Sequence, residues 1–299
     1  MSLPARALFM VKPACFGFNP ETAATNAFQH QHEESVHALA LNEFEGAVLQ
    51  LANAGITLEV FEDDMNSPLP DSIFPNNWFS THHPTTLVLY PMLTKNRRAE
   101  RKAEFINKIR DKFGYSTTHD LTGFERENKF LEGTGSMVLD HDQHVAFACL
   151  SPRTNTDVLL DVCERIGYLP VVFEARDTNG IEIYHTNVML ALSDKLAVCC
   201  FETIVDESDR EGIRSFLQKT GKSIVEISMR QMESFAGNVL FAANDRNQIC
   251  AAISTTAWES LDDVQRKTIS SHSTPIIISI PTIERHGGGG IRCMLAELF

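Results

Sequence analysis

The chain repeats itself, and the period constrains its fold more than any other feature. Ser136-Met137-Val138-Leu139, Asn187-Val188-Met189-Leu190 and Asn238-Val239-Leu240-Phe241 begin at positions 136, 187 and 238, 51 residues apart. Each is followed by a polar turn (140–144, 193–195, 244–248) and a second apolar run, at 145–149, 196–200 and 249–252. Such pairs read as hairpins. Helical spacing follows at Val158-Leu159-Leu160…Cys163 and Ile213…Phe216-Leu217, then strands at 170–173 and 223–227. A strand-strand-helix-strand module of about 50 residues cannot cover its own sheet, so copies must pack on one another. A further copy runs from Asn77-Trp78-Phe79-Ser80 through Leu87 to Tyr90 and a charged helix near 99–113. Another joins strand 7–11, a helix near Glu34 to Ala54 and strand 58–61. Five units predict an α/β fold, a five-module propeller, with a last strand over 291–298 beside the first unit. No composition break marks a linker, so residues 1–299 are expected to form one domain.

Near the end, Gly287-Gly288-Gly289-Gly290-Ile291-Arg292-Cys293-Met294 places a cysteine shortly after four glycines. Glycines open backbone conformations closed to other residues and expose amides. A thiol on such an open, donor-rich turn suits a nucleophile, which needs a histidine partner. In a ring of modules, residues at the starts of equivalent strands converge on one mouth. Glu132, His185, Cys293, Asn76 and Asn77 all fall there. A cysteine can attack an electrophilic carbon, a histidine can protonate the leaving amine and activate water, and a carboxylate can orient them.

A net charge of −13 with no basic run argues against nucleic acid or an anionic membrane as partner. No stretch approaches the roughly 20 apolar residues of a membrane span. The apolar run 7–11 is broken by Lys12 and Pro13, which argues against a signal peptide. Seven cysteines, several in apolar runs, suit a reducing compartment, so a cytoplasmic location is expected. No phosphate loop is present, and Gly133-Thr134-Gly135 is too short for a dinucleotide fingerprint. The histidines at 30 and 32, 82 and 83, and 141 and 144 lack zinc-like companions and are read as surface residues. No metal or cofactor is expected, and the oligomeric state is left open.

Gly287 to Met294, Leu131 to Ser136, His185 and Pro70-Asp71-Ser72-Ile73-Phe74 resemble the guanidino-modifying (pentein) superfamily of five-module propellers. Val11-Lys12-Pro13, Phe16 to Thr22 and Asn26-Ala27-Phe28-Gln29 resemble the opening of its citrulline-utilisation hydrolase branch. The resemblance implies Cys293 as nucleophile, His185 as general acid/base and Glu132 as its carboxylate. It implies Arg153 for a substrate carboxylate, since a guanidinium fork matches it bidentately, and Asp71 for a substrate amino group. Phe74 and Trp78 are aromatics for the pocket wall or the core. Arg97 and Arg98, within the charged run 95–112, are read as solvated helix charges.

Where arginine-type members carry two carboxylates for the guanidinium, this chain has Asn77 and Asn187. A buried cation wants anionic partners, whereas an amide's mixed donors and acceptor suit a neutral ureido group. The expected substrate is a small amino acid, citrulline, cleaved to ornithine, ammonia and carbon dioxide through an S-carbamoyl enzyme, the glycine amides holding the oxyanion. The alternatives are an arginine deiminase, a dimethylarginine hydrolase or an amidinotransferase. Outside enzymes, the fold also serves a ribosome anti-association factor, which an acidic chain suits poorly.

Overall fold

A computed structural model of the chain describes residues 5, 7–26, 28–29, 36–64 and 69–299. Ala27, His30, His32 and the beginning of the helix near Glu34 lie outside the described residues; that helix is described over Val36–Asn53.

The described strands form five three-stranded sheets of one pattern. Strand β1 (Ala7–Lys12) runs parallel to β2 (Leu58–Glu62). In the second sheet β3 (Phe79–His82) pairs antiparallel with β4 (Thr86–Leu89), which runs parallel to β5 (Thr117–Asp120). The third holds β6 (Val138–Asp140), β7 (Val145–Cys149) and β8 (Leu169–Phe173). The fourth holds β9 (Leu190–Leu192), β10 (Leu196–Cys199) and β11 (Ser223–Glu226), and the fifth β12 (Leu240–Ala243), β13 (Ile249–Ser254) and β14 (Thr274–Ile278). The last strand, β15 (Ala296–Leu298), pairs antiparallel with β1, Ala7 opposite Leu298. The first sheet is therefore completed by the far end of the chain.

Middle strands are covered on both faces, which is why β7 and β10 read as unbroken apolar runs and are buried throughout. The parallel third strand needs a crossover, and a helix supplies it. Helix Thr156–Ile166 starts where Asn155 accepts from the amides of Asp157 and Val158, and stops at Gly167 with φ of 74°.

Three sequence expectations are corrected. Strands expected from Ser136, Asn187 and Asn238 start later, at Val138, Leu190 and Leu240. The displaced residues sit in the turn before each of these strands, helical over Gly133–Ser136 and Thr186–Val188. The closing strand is likewise only 296–298, because Ile291–Met294 is a helical turn in which the Cys293 amide bonds Gly290 O. The charged run is two helices, Lys95–Arg98 and Ala103–Phe113. No described helix is long and apolar enough to cross a membrane.

Candidate active site

Helix Pro281–Gly287 ends at Gly288, whose φ of 64° is left-handed backbone that glycine adopts without strain. The neighbouring glycines serve close approach. A Cβ at Gly287 or Gly289 would lie 2.7 or 2.9 Å from the Phe74 ring, and one at Gly290 would lie 2.6 Å from Asn238 Oδ1. The run thus wraps Phe74 and seats the next turn against Asn238. That packing buries Cys293 to 5% exposure, which corrects the expectation of an open turn.

The Gly288 amide is spent on Glu284 O at the helix end, whereas the Gly290 backbone lies within hydrogen-bonding reach of the sulfur. The side-chain donors at Cys293 Sγ are Asn238 Nδ2 at 3.3 Å and Asn187 Nδ2 at 3.6 Å. Asn238 also accepts from the Arg292 amide at 3.0 Å, so one amide group holds both the turn and the thiol. Sequence reasoning passed over this residue, although Asn238 lies one repeat beyond Asn187. Burial pushes the thiol up, and the Asn238 amide, the Arg292 charge and the Asn187 amide recover only part of the shift.

His185 precedes the turn Thr186–Val188, and Glu132 precedes Gly133–Ser136. Glu132 Oε2 accepts from His185 Nε2 at 2.9 Å and from Arg153 Nη1 at 3.2 Å, while Oε1 accepts from the Leu93 amide at 3.1 Å. Burial alone would raise this carboxyl; the Arg153 charge and the His185 bond overcome it and hold Glu132 well below the usual carboxylate range. Burial pushes His185 down to about 4 despite Glu132. A neutral imidazole donating to an ionised carboxylate has its proton on Nε2, which leaves the Nδ1 lone pair free to take a proton. Gly135 is small because its Cβ would stand 2.8 Å from that Nδ1.

Arg153 is 2% exposed and spends most of its donors inside the protein. Nε and Nη2 bond Thr25 Oγ1, Nη2 also bonds Thr22 O, and Nη1 bonds Glu132. One Nη1 hydrogen is left over by these bonds.

Arg97 is corrected from a solvated charge to a buried one. Its Nη1 donates to Asn77 Oδ1 at 2.6 Å, Nε and Nη2 grip Glu100 at 2.8 and 2.9 Å, and Nη2 also reaches Phe74 O. Arg98 is the more exposed of the two, bonding Met92 O and pairing with Glu125. Burial pushes Glu100 up to about 7 against the pull of Arg97. Asp71 Oδ2 accepts from Asn19 and Thr22, and Asn76 Oδ1 accepts from Asn77 Nδ2. Three buried atoms here have no hydrogen-bond partner: Asp71 Oδ1, Asn76 Nδ2 and Asn187 Oδ1. Unpaired buried polar atoms are rare in a settled core and mark a place for a polar guest.

Asp71, Phe74, Asn77, Arg153, His185 and Cys293 line one small cavity, joined by Arg97 and Tyr184. Glu132 stands behind His185, Asn187 beside Cys293 and Asn76 beside Asn77. Trp78 is in the core instead, its ring 4.3 Å from that of Phe79. His82 is also corrected: it is buried in β3 and bonded to Ser80, not on the surface. No cluster of metal-ligating side chains occurs among the described residues.

A family model for eukaryotic N,N dimethylarginine dimethylhydrolase matches residues 12–299. Among solved structures, the substrate-bound N-terminal domain of ArgZ, an arginine dihydrolase from the ornithine-ammonia cycle in cyanobacteria, is 14% identical with a TM-score of 0.76. There 98% of this chain covers 97% of the other. Unliganded AgrE is 15% identical with a TM-score of 0.76, and the chain spans only 39% of its length, as it does of full-length ArgZ. A dimethylarginine dimethylaminohydrolase adduct is 15% identical with a TM-score of 0.69, over 98% of this chain and all of that one. These likenesses are of fold: a mixed α/β architecture. No curated protein matches the sequence significantly.

Proposed function

The chain belongs to the N,N dimethylarginine dimethylhydrolase family of the pentein superfamily, hydrolases of non-peptide C–N bonds, and within it we propose that this protein cleaves a ureido amino acid, citrulline, to ornithine, ammonia and carbon dioxide. The observation that carries the substrate is the set of groups next to the nucleophile. Amides, not carboxylates, reach Cys293 Sγ, and the Asn77 amide has a buried guanidinium 2.6 Å behind it. A substrate cation beside Arg97 would meet like charge, and a neutral C=O and NH₂ would not. Asn187 Oδ1, buried without a partner, offers an acceptor for the terminal NH₂.

In this reading His185 Nδ1 takes the Cys293 proton as the thiolate attacks the ureido carbon, and the tetrahedral oxyanion is stabilised by the Asn187 and Asn238 amides. The C–N bond to the ornithine nitrogen breaks as that nitrogen receives the proton from His185. The S-carbamoyl group then meets water, which His185 deprotonates; the C–S bond breaks, and carbamic acid divides into ammonia and carbon dioxide. Arg153 offers its last donor to the substrate carboxylate, and Asp71 Oδ1 accepts from its ammonium. The same reading takes the five sheets as the blades of a closed α/β propeller, since β15 completes the sheet of β1.

A second reading, hydrolysis of arginine to ornithine, rests on Asp71, whose buried Oδ1 has no hydrogen-bond partner and offers a guanidinium an anionic acceptor. Product analysis after separate incubation with citrulline and arginine decides. Ornithine from citrulline alone supports the ureido reading, ornithine from both supports the second, and citrulline released from arginine overturns both.

A further inference from the structure

A second cavity, of about 510 Å³, opens at the hairpin-turn ends of the sheets, among them the turns after β6 and β9. The catalytic proposal uses none of its lining. Leu192, Leu240, Phe241 and Ile249 give it apolar walls, and Arg292 and Glu297 are its charged pair. Arg292 is 7% exposed, its Nη1 has no hydrogen-bond partner, and its Nη2 stands 3.7 Å from Glu297 Oε2. A buried guanidinium donor without an acceptor is costly, so this one awaits an oxygen ligand.

We infer that this cavity is a binding site for an apolar α-amino acid, whose carboxylate bonds Arg292 Nη1, whose ammonium meets Glu297 and whose side chain lies on the apolar walls. An α-amino acid carries both charges on one carbon, which matches the close spacing of Arg292 and Glu297. A simple anion would leave Glu297, Asp142 and Asp194 facing it unfavourably.

The site is linked to the nucleophile by two hydrogen bonds. The Arg292 amide donates to Asn238 Oδ1, and Asn238 Nδ2 donates to Cys293 Sγ. Consecutive residues thus face opposite cavities. The Arg292 charge also favours the thiolate, so a carboxylate that neutralises it raises the thiol further. Occupancy is therefore inhibitory.

The test uses the full chain and L-leucine as the probe, with binding measured by calorimetry and Cys293 reactivity by its iodoacetamide alkylation rate. Millimolar leucine should bind and slow alkylation by about five-fold, the low end of ordinary coupling between sites. Arg292→Met should abolish binding. Ala242→Phe, which fills the cavity from its wall, should abolish it while leaving the alkylation rate without leucine unchanged. Neither readout depends on the substrate, so the result stands apart from the citrulline reading. No binding to the unmodified chain, or binding that survives both substitutions, overturns the site; binding that leaves the alkylation rate unmoved overturns the link to Cys293.

Discussion

Asn238 has two tasks. It holds the Arg292 amide and donates to Cys293 Sγ. Asn238→Ala removes both bonds, and at about 1–2 kcal/mol kcat/KM should fall roughly five- to thirty-fold and Cys293 alkylation should slow. Cys293→Ala should abolish turnover with the melting temperature preserved; residual activity would remove the cysteine from the mechanism. His185 is the base only when neutral. Because its pKa is pushed down to about 4, kcat/KM should hold as pH falls past 6.5 and drop only near 4, provided the protein stays folded. A pH–rate profile bending near 6.5 would mean a more exposed imidazole. The meeting of these residues was partly legible in the chain: residue type singled out Cys293, His185 and Glu132, and the fold brings Cys293 and His185 to one cavity with Glu132 behind His185. The engagement of Arg153 with Glu132 and the burial of Arg97 were not, because a guanidinium on a short charged helix looks the same whether it faces water or a cavity.

At the level of elements, Asn77, Glu132, His185 and Cys293 sit on or just before the turns that lead into β3, β6, β9 and β15, and small residues let these turns pack closely. Gly289 is the tightest test. Its Cβ would stand 2.9 Å from the Phe74 ring and 3.2 Å from Cys293 Cβ. Gly289→Ala should therefore cut turnover more than ten-fold while shifting the melting temperature by only a few degrees, since a turn can yield where a nucleophile's position cannot. Gly288→Ala differs in kind. The left-handed backbone at φ of 64° costs an L-residue about 1–2 kcal/mol, so thermal stability itself should drop. Strand order within modules followed from the repeated apolar runs and the polar turns between them, but their first residues did not. The pattern of Asn187-Val188-Met189-Leu190 is equally apolar in a strand and in a helical turn leading into one, and the bond from the Val188 amide to His185 O decides.

Across the whole molecule, burial of titratable groups sets a pH response. His82 and His185 are held neutral in the fold, pushed by burial to about 3 and about 4. Below pH 6.5 the unfolded chain binds protons at both that the folded chain refuses, so the contribution of these two sites falls as pH drops from 6.5 toward 4, while Glu100, raised to about 7, works in the opposite direction. The loss is about 3 kcal/mol for each site. His82→Asn, which keeps a polar partner for Ser80, should flatten this loss by roughly half in chemical denaturation between pH 7 and 4. An unchanged slope would mean that His82 is protonated in the folded state.

The sequence alone determined the repeated module and the family, and pointed to a terminal strand beside the first, because repeats and motifs are written in pattern and spacing. Tertiary structure alone decided which charges are buried, which amides reach the sulfur, and that Arg292 and Cys293 face different cavities. Those outcomes depend on groups such as Arg97 and Asn77, or Asn238 and Cys293, that lie far apart along the chain and meet only through packing. Burial and hydrogen bonding are properties of that packing, and no single stretch of sequence carries them.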